Sequence, residues 1–209
     1  MTRGLTQSWR AVVSHAKALN SAEIGSRGVL IRSEFLSYAQ CARVRAAMDR
    51  GYASSAEIFD NGYVVNEQVR KTYEVEVEPD IVREVEQAVA GVREDVSRFF
   101  GIALTGSEGP GFLRYPPGGF YRAHRDRFEN PGDEFPRQIS VVLFLSSAAA
   151  DPVDGGCVGG ALRLFPGDDQ DPLDIAPVAG TLVAFPSDLL HEVLPVTAGV
   201  RDAIVDWFY

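Results

Sequence analysis

Cysteine is scarce in this chain: Cys41 and Cys157 are its 2 thiols, in unrelated contexts and without a CxxC spacing. Neither a disulfide framework nor a thiolate zinc site follows, and both read as ordinary thiols. Cations are outnumbered as well, with 20 Lys and Arg against 29 Asp and Glu for a net charge of −9. Non-specific nucleic-acid affinity needs clustered cations that neutralise phosphates, so no nucleic-acid partner is expected. Long apolar runs are missing too. The longest, "ISVVLFLSSAAA" from Ile139, is interrupted by Ser146 and Ser147 and falls short of the roughly 18 residues that cross a bilayer, so no membrane partner is expected. The opening "MTRGLTQSWRAVV" lacks an apolar stretch followed by a small-residue cleavage site, and a cytoplasmic address is expected.

What is present suits a packed core. At 209 residues and 45% apolar content, the chain is expected to form one domain over 1–209. Residues 1–110 would supply helical support and outer strands, and 111–209 the β core. Leu5, Trp9, Val12, Val13, Ala16 and Leu19 follow helical spacing, with His15 on the polar face. "RGVLIRSEFLS" reads as a short strand ending near Ser33, and "EFLSYAQCARVRAAMDRG" as a helix closed by Gly51. "YASSAEIFDNGYVVNEQVRK" is polar with a turn signal at Asn61-Gly62, which suits a mobile loop or an irregular hairpin.

Alternation of Tyr73, Val75 and Val77 with Glu74, Glu76 and Glu78 predicts a strand whose glutamates form a solvated face. The clearest helix is "PDIVREVEQAVAGVREDVSRFFG". Pro79 suits its first turn, Ile81, Val85, Val89, Val92, Val96, Phe99 and Phe100 form its apolar stripe, and Gly101 stops it. After Gly101 come short apolar runs punctuated by Gly and Pro, the pattern of a β-sandwich or barrel rather than of βαβ units. Helices packed outside a β-sandwich are therefore expected.

Histidine is scarce too, with 3 in the chain, and one of them stands in "FYRAHRDRFENP". On an extended strand residues i and i+2 share a face, so His124 and Asp126 aim a nitrogen and an oxygen at one point while Arg125 faces away. A catalytic metal needs a third ligand, and His191 in "LLHEVLP" is the remaining histidine of this half. Two imidazoles and a carboxylate form a facial triad that leaves coordination positions open on non-heme Fe(II), although zinc accepts the same ligands. Arg201, on the strand predicted after His191, adds a discriminating charge. A guanidinium pointing into a small barrel needs an anion, and a dicarboxylate co-substrate supplies one.

The stretch from about Gly111 to Tyr209 resembles the 2-oxoglutarate and Fe(II)-dependent dioxygenases of the prolyl 4-hydroxylase type, particularly the prolyl hydroxylases that act on hypoxia-inducible factor. The elements that carry the resemblance are "YPPGGFYRAHRD", "RQISVVLFLS", "GGALRLFP", "DIAPVAGTLVAFPSD", "HEVLP" and "RDAIVDWFY". It implies an α+β fold with a double-stranded β-helix core, a cupin-like jelly-roll, and N-terminal helices outside. By the same resemblance His124, Asp126 and His191 are the iron ligands and Arg201 the partner of the distal carboxylate of 2-oxoglutarate. Tyr115 would hydrogen-bond the co-substrate, while Tyr121, Arg137 and Trp207 would line the substrate side. Phe144 stands where relatives commonly place a tyrosine hydroxyl.

The implied cofactors are Fe(II), 2-oxoglutarate and O2, with ascorbate as a reductant. The implied reaction hydroxylates an unactivated C–H bond and releases succinate and CO2. A prolyl residue in a peptide or protein is the first substrate class, and a small metabolite or free amino acid the second. A non-catalytic metal-binding barrel is the third reading.

Overall fold

The run that begins at Ile139 is apolar at nearly every position because both of its faces are covered. The computed structural model describes residues 28–59, 62–127, 134–149, 155–167 and 170–209. Its first part comprises β1 (Leu30–Arg32), α1 (Tyr38–Arg50), β2 (Ala53–Ser55), β3 (Ile58–Phe59), β4 (Tyr63–Val64), β5 (Arg70–Lys71), β6 (Tyr73–Val75) and α2 (Pro79–Phe100). There follow β7 (Gly111–Tyr115), β8 (Phe120–His124), β9 (Ile139–Phe144), β10 (Cys157–Gly159), β11 (Leu162–Leu164) and β12 (Leu173–Ile175). The last elements are β13 (Leu182–Pro186), β14 (His191–Val193), β15 (Val196–Gly199) and β16 (Arg201–Phe208).

Two antiparallel sheets face each other as a jelly-roll. The larger has the order β1-β13-β9-β16-β7-β6-β2 and the smaller β12-β11-β14-β8-β5. Strand β9 lies between β13 and β16. Its Ile139, Val141 and Leu143 pack with the buried faces of α1 and α2, whereas Val142 and Phe144 pack with Leu162, Leu164 and Phe185 inside the sandwich. A strand with two dry faces shows no polar alternation. Strand β16 has the same phase, with Arg201 and Ala203 toward the sandwich interior and Ile204 and Phe208 in the helix-facing core.

The helices form where the sequence predicts, with differences at their ends. Helix α1 starts at Tyr38 because Ser37 and Gln40 form a capping box. Gly51 does follow its last turn, but in extended backbone (φ −74°) rather than the left-handed form. What Gly51 provides there is room, since a Cβ would lie 2.0 Å from the Glu76 carbonyl oxygen. Helix α2 buries Ile81, Val85, Val89, Val92 and Val96, and Gly101 ends it in the left-handed region (φ 68°). Phe99 departs from the predicted stripe: it is exposed and meets Phe100 edge-on at 4.8 Å.

The alternating segment shortens to β6, after which Glu76 still bonds Tyr52 but the chain turns into α2. Glu74, Glu76 and Glu78 are exposed, as expected. The polar segment after Tyr52 contains β2, the small pair β3-β4 and β5, so the hairpin alternative holds. The helix expected over 5–19, with His15, lies outside the described residues.

Candidate active site

Strands β8 and β14 are antiparallel neighbours in the smaller sheet, and His191 stands directly across from His124. Their rings lie 4.2 Å apart. His124 and Asp126 do approach one another, but not as i, i+2 neighbours on one strand face. Strand β8 ends at His124, and Asp126 reaches the same point from the bend beyond, where its amide and that of Arg127 each donate to the Ser187 carbonyl at 2.9 Å. Arg125 is held at the cavity wall by a hydrogen bond to the Asp188 carbonyl, instead of facing away.

One carboxylate thus meets two imidazoles: His124 Nε2 is 3.5 Å from Asp126 Oδ1, and His191 Nε2 is 3.5 Å from Asp126 Oδ2. One ligand atom from each of the three residues lies within 4.8 Å of the others. The rings are set for lone-pair donation. His124 Nδ1 bonds the Arg122 carbonyl at 2.8 Å and His191 Nδ1 the Leu189 carbonyl at 2.9 Å. A carbonyl accepts and cannot donate, so each Nδ1 carries a hydrogen, and Nε2 is the nitrogen each ring offers to a metal.

Burial pushes the His191 pKa down to about 4, which keeps the ring neutral at physiological pH. Burial alone would raise Asp126, but a hydrogen bond from His124 and the positive charge that the imidazoles carry when protonated outweigh it and hold its pKa well below the usual carboxylate range. Two imidazole nitrogens and a carboxylate converging on one point are a donor set that fits Fe(II).

A cavity of about 600 Å³ contains this cluster and extends inward to Arg201. Arg201 is 1% exposed and pairs across the larger sheet with Tyr115. Its Nε donates to the Gly160 carbonyl at 2.8 Å, and its guanidinium carbon lies 4.8 Å from the Tyr115 ring centre and 5.2 Å from that of Phe144. Among the described residues no carboxylate lies within 4.0 Å of it. Burial lowers its pKa, the signature of a cation kept from water. Gly160 sits at φ +70°, and a Cβ there would come within 2.8 Å of Arg201 Cδ. A short strand, β15, intervenes between β14 and β16, so Arg201 is on the second strand after His191 rather than the next.

The remaining predicted residues also line the cavity. Tyr121 stacks on His124 with ring centres 3.5 Å apart, and burial pushes its phenol up to about 12. Arg137 lies 3.6 Å over the Trp207 ring and makes two 2.6 Å bonds to Glu108. Sequence reasoning missed Arg70, whose guanidinium covers Tyr121 at 4.8 Å, and Ser140 and Ser187, which support Asp126. A lone serine on the inward phase of an apolar strand was the available signal for Ser140.

Residues 110–209 match the family described as the 2OG-Fe(II) oxygenase superfamily. The likeness to this superfamily lies in those residues, just under half of the chain. A PKHD-type hydroxylase from Stenotrophomonas maltophilia is 38% identical over 102 residues, 47% of this chain and 41% of that one. The chain thus spans under half the length of that relative. Among solved structures, a Pseudomonas putida prolyl-4-hydroxylase superimposes with a TM-score of 0.67 at 27% identity, covering 90% of this chain and 95% of its own. A prolyl hydroxylase from Trichoplax adhaerens, in complex with a hypoxia-inducible-factor peptide fragment, gives a TM-score of 0.70 at 22% identity, covering 90% and 86%. The second likeness speaks for the jelly-roll fold of the superfamily.

Proposed function

We propose that the chain is a 2-oxoglutarate- and Fe(II)-dependent hydroxylase whose substrate is a prolyl residue in a peptide or protein. One observation carries the reading: the two-histidine, one-carboxylate cluster and the carboxylate-free Arg201 line the same cavity. Iron is held by His124, Asp126 and His191, and Arg201 pairs with the distal carboxylate of 2-oxoglutarate. When bound, iron with 2-oxoglutarate and O2 supplies the oxidising power to insert an oxygen atom into a C–H bond, with succinate and CO2 as co-products.

The residues of the chain do the rest. Nδ1 anchoring fixes the orientation of both imidazoles and aims each Nε2 at the cluster. Arg201 gives a dicarboxylate one orientation, because its Nε is already committed to Gly160 and its remaining donors face the cavity. Tyr115, in register with Arg201, adds a phenol to the same end. Tyr121, Arg137 and Trp207 wall the substrate side.

A prolyl substrate is supported by the 27% identity to the Pseudomonas putida enzyme over 90% of this chain. A peptide is supported by the complex of the Trichoplax adhaerens enzyme, and by a cavity that runs out to Phe59 and Tyr63 of the β3-β4 pair. Cys41 and Cys157 are buried free thiols, which suits action in a reducing cytoplasm.

The test begins without oxygen: protein with Fe(II) should develop a weak visible charge-transfer band on addition of 2-oxoglutarate. Admitting air should then yield succinate, and prolyl peptides should gain the mass of one oxygen atom. Absence of both band and succinate in folded, iron-loaded protein overturns the oxygenase reading; succinate without any peptide product overturns the prolyl substrate.

A further inference from the structure

Asp126 has two oxygens, and the protein treats them differently. Oδ2 accepts a hydrogen bond from Ser140 Oγ at 2.7 Å, whereas no hydroxyl or amide of the described residues bonds Oδ1. Ser140 Oγ also lies 3.0 Å from Ser187 Oγ. Each hydroxyl has one hydrogen, and the ionised carboxylate only accepts, so Ser140 spends its hydrogen on Asp126 and Ser187 donates to Ser140. Ser187 holds the same residue twice, since its carbonyl receives the Asp126 and Arg127 amides. Both serines are buried, at 1% and 0% exposure, and water does not compete for these bonds.

The fold gives Ser140 this position through the phase of β9, whose alternate residues Ser140, Val142 and Phe144 turn toward the sandwich interior. A serine there has no solvation reason to exist. A buried hydroxyl without a partner would cost stability, and an apolar residue would pack as well.

We propose that Ser140, backed by Ser187, is a positioning residue that fixes the rotation of the Asp126 carboxylate, tying Oδ2 to the protein and presenting Oδ1 as a single-oxygen metal donor. This rests on the assignment of Asp126 as an iron ligand. A carboxylate free to rotate can close over a metal with both oxygens and occupy a position that O2 or the co-substrate needs. The Ser187 to Ser140 to Asp126 relay opposes that rotation without adding a charge. Partners of this kind, one shell removed from a metal, typically change affinity 10- to 100-fold when lost.

The test uses purified metal-free protein, Mn(II) as a probe that air does not oxidise, and thermal unfolding of the metal-free state alongside. Ser140→Ala is expected to weaken Mn(II) binding by roughly tenfold or more, and to shift the anaerobic Fe(II) and 2-oxoglutarate charge-transfer band. Ser140→Thr, which keeps the hydroxyl, should restore both, and Ser187→Ala should show a smaller loss of affinity in the same direction. Mn(II) affinity and band of Ser140→Ala equal to wild type, while His124→Ala loses Mn(II), would overturn the positioning role and leave the metal site standing. Undiminished Mn(II) binding by His124→Ala and His191→Ala would instead overturn the site itself. If Ser140→Ala does not fold, Ser187→Ala decides: wild-type Mn(II) affinity in that variant sinks the relay.

Discussion

Arg201 and Asp202 are adjacent in sequence and both fully buried, yet they do not pair. Strand alternation sends them to opposite faces of the larger sheet. Asp202 turns toward α1, where it bonds Arg45 Nε at 3.1 Å and Arg114 Nε and Nη2 at 2.8 and 2.9 Å. Arg201 turns into the cavity and meets a backbone carbonyl and two aromatic rings. A buried charge satisfied by the protein thus sits beside one left for a ligand.

Losing Arg201 should therefore damage co-substrate binding far more than folding. Arg201→Ala is expected to raise the 2-oxoglutarate requirement by about 2–4 kcal/mol, roughly 30- to 1,000-fold. Phe144→Tyr, which offers a hydroxyl to the same anion, should lower it by no more than about fivefold. Succinate formation against 2-oxoglutarate concentration reads both. An unchanged requirement in Arg201→Ala would mean that another cation holds the co-substrate.

Losing Asp202 should do the reverse. Asp202→Ala leaves Arg45 without its carboxylate and Arg114 with Asp49 alone in a half-buried network, at about 3–5 kcal/mol of stability. In a chain of this size that is a fall of roughly 10 °C in Tm. Calorimetry of the metal-free protein checks it, with a loss below about 1 kcal/mol contradicting the network's importance.

Gly160 links backbone conformation to the co-substrate end. Gly160→Ala combines a strained φ of +70° with a Cβ 2.8 Å from Arg201 Cδ. Displacing the guanidinium by a fraction of an ångström should raise the 2-oxoglutarate KM about tenfold while leaving kcat nearly intact. Unchanged KM with lower Tm would show that strain alone is felt.

The metal ligands predict a pH effect in the metal-free protein. His191 has a folded pKa of about 4 against an ordinary 6.5. Between those values the unfolded chain binds a proton that the folded chain refuses, so stability present above pH 6.5 is lost as pH falls toward 4. Asp126, depressed by the imidazoles, adds a further loss at lower pH. Urea unfolding midpoints across this range should fall with acidification, and His191→Gln should flatten the upper part of the decline. A flat wild-type profile would contradict the burial argument.

The sequence carried the ligands better than it carried their geometry. His124, His191 and Arg201 were legible because few residue types serve metal and dicarboxylate chemistry and the strands that bear them are plainly marked. That Asp126 lies beyond the end of β8 was not, because the tether is a backbone carbonyl, Ser187, which any residue supplies. Ser140 and Arg70 were hidden for a related reason. Their roles depend on which strand lies opposite, and the crossovers that put β8 beside both β5 and β14 leave no local mark. The helices announced themselves by period, whereas Phe99 fell on the edge of the α2 stripe, where rotation by a fraction of a turn separates core from surface.

Strand β16 lies between β7 and β9, both of which precede it along the chain by dozens of residues. During synthesis the larger sheet is consequently made in two parts that lack their common neighbour until the segment 201–208 has left the ribosome. Long-range pairing of this kind is the slow part of β folding. The guanidinium for the co-substrate travels on that last-arriving strand, so a nascent chain that already holds both histidines still lacks the group that recognises a dicarboxylate. Completion of the sheet and competence for 2-oxoglutarate are then one event, and a chain truncated before Arg201 loses both together.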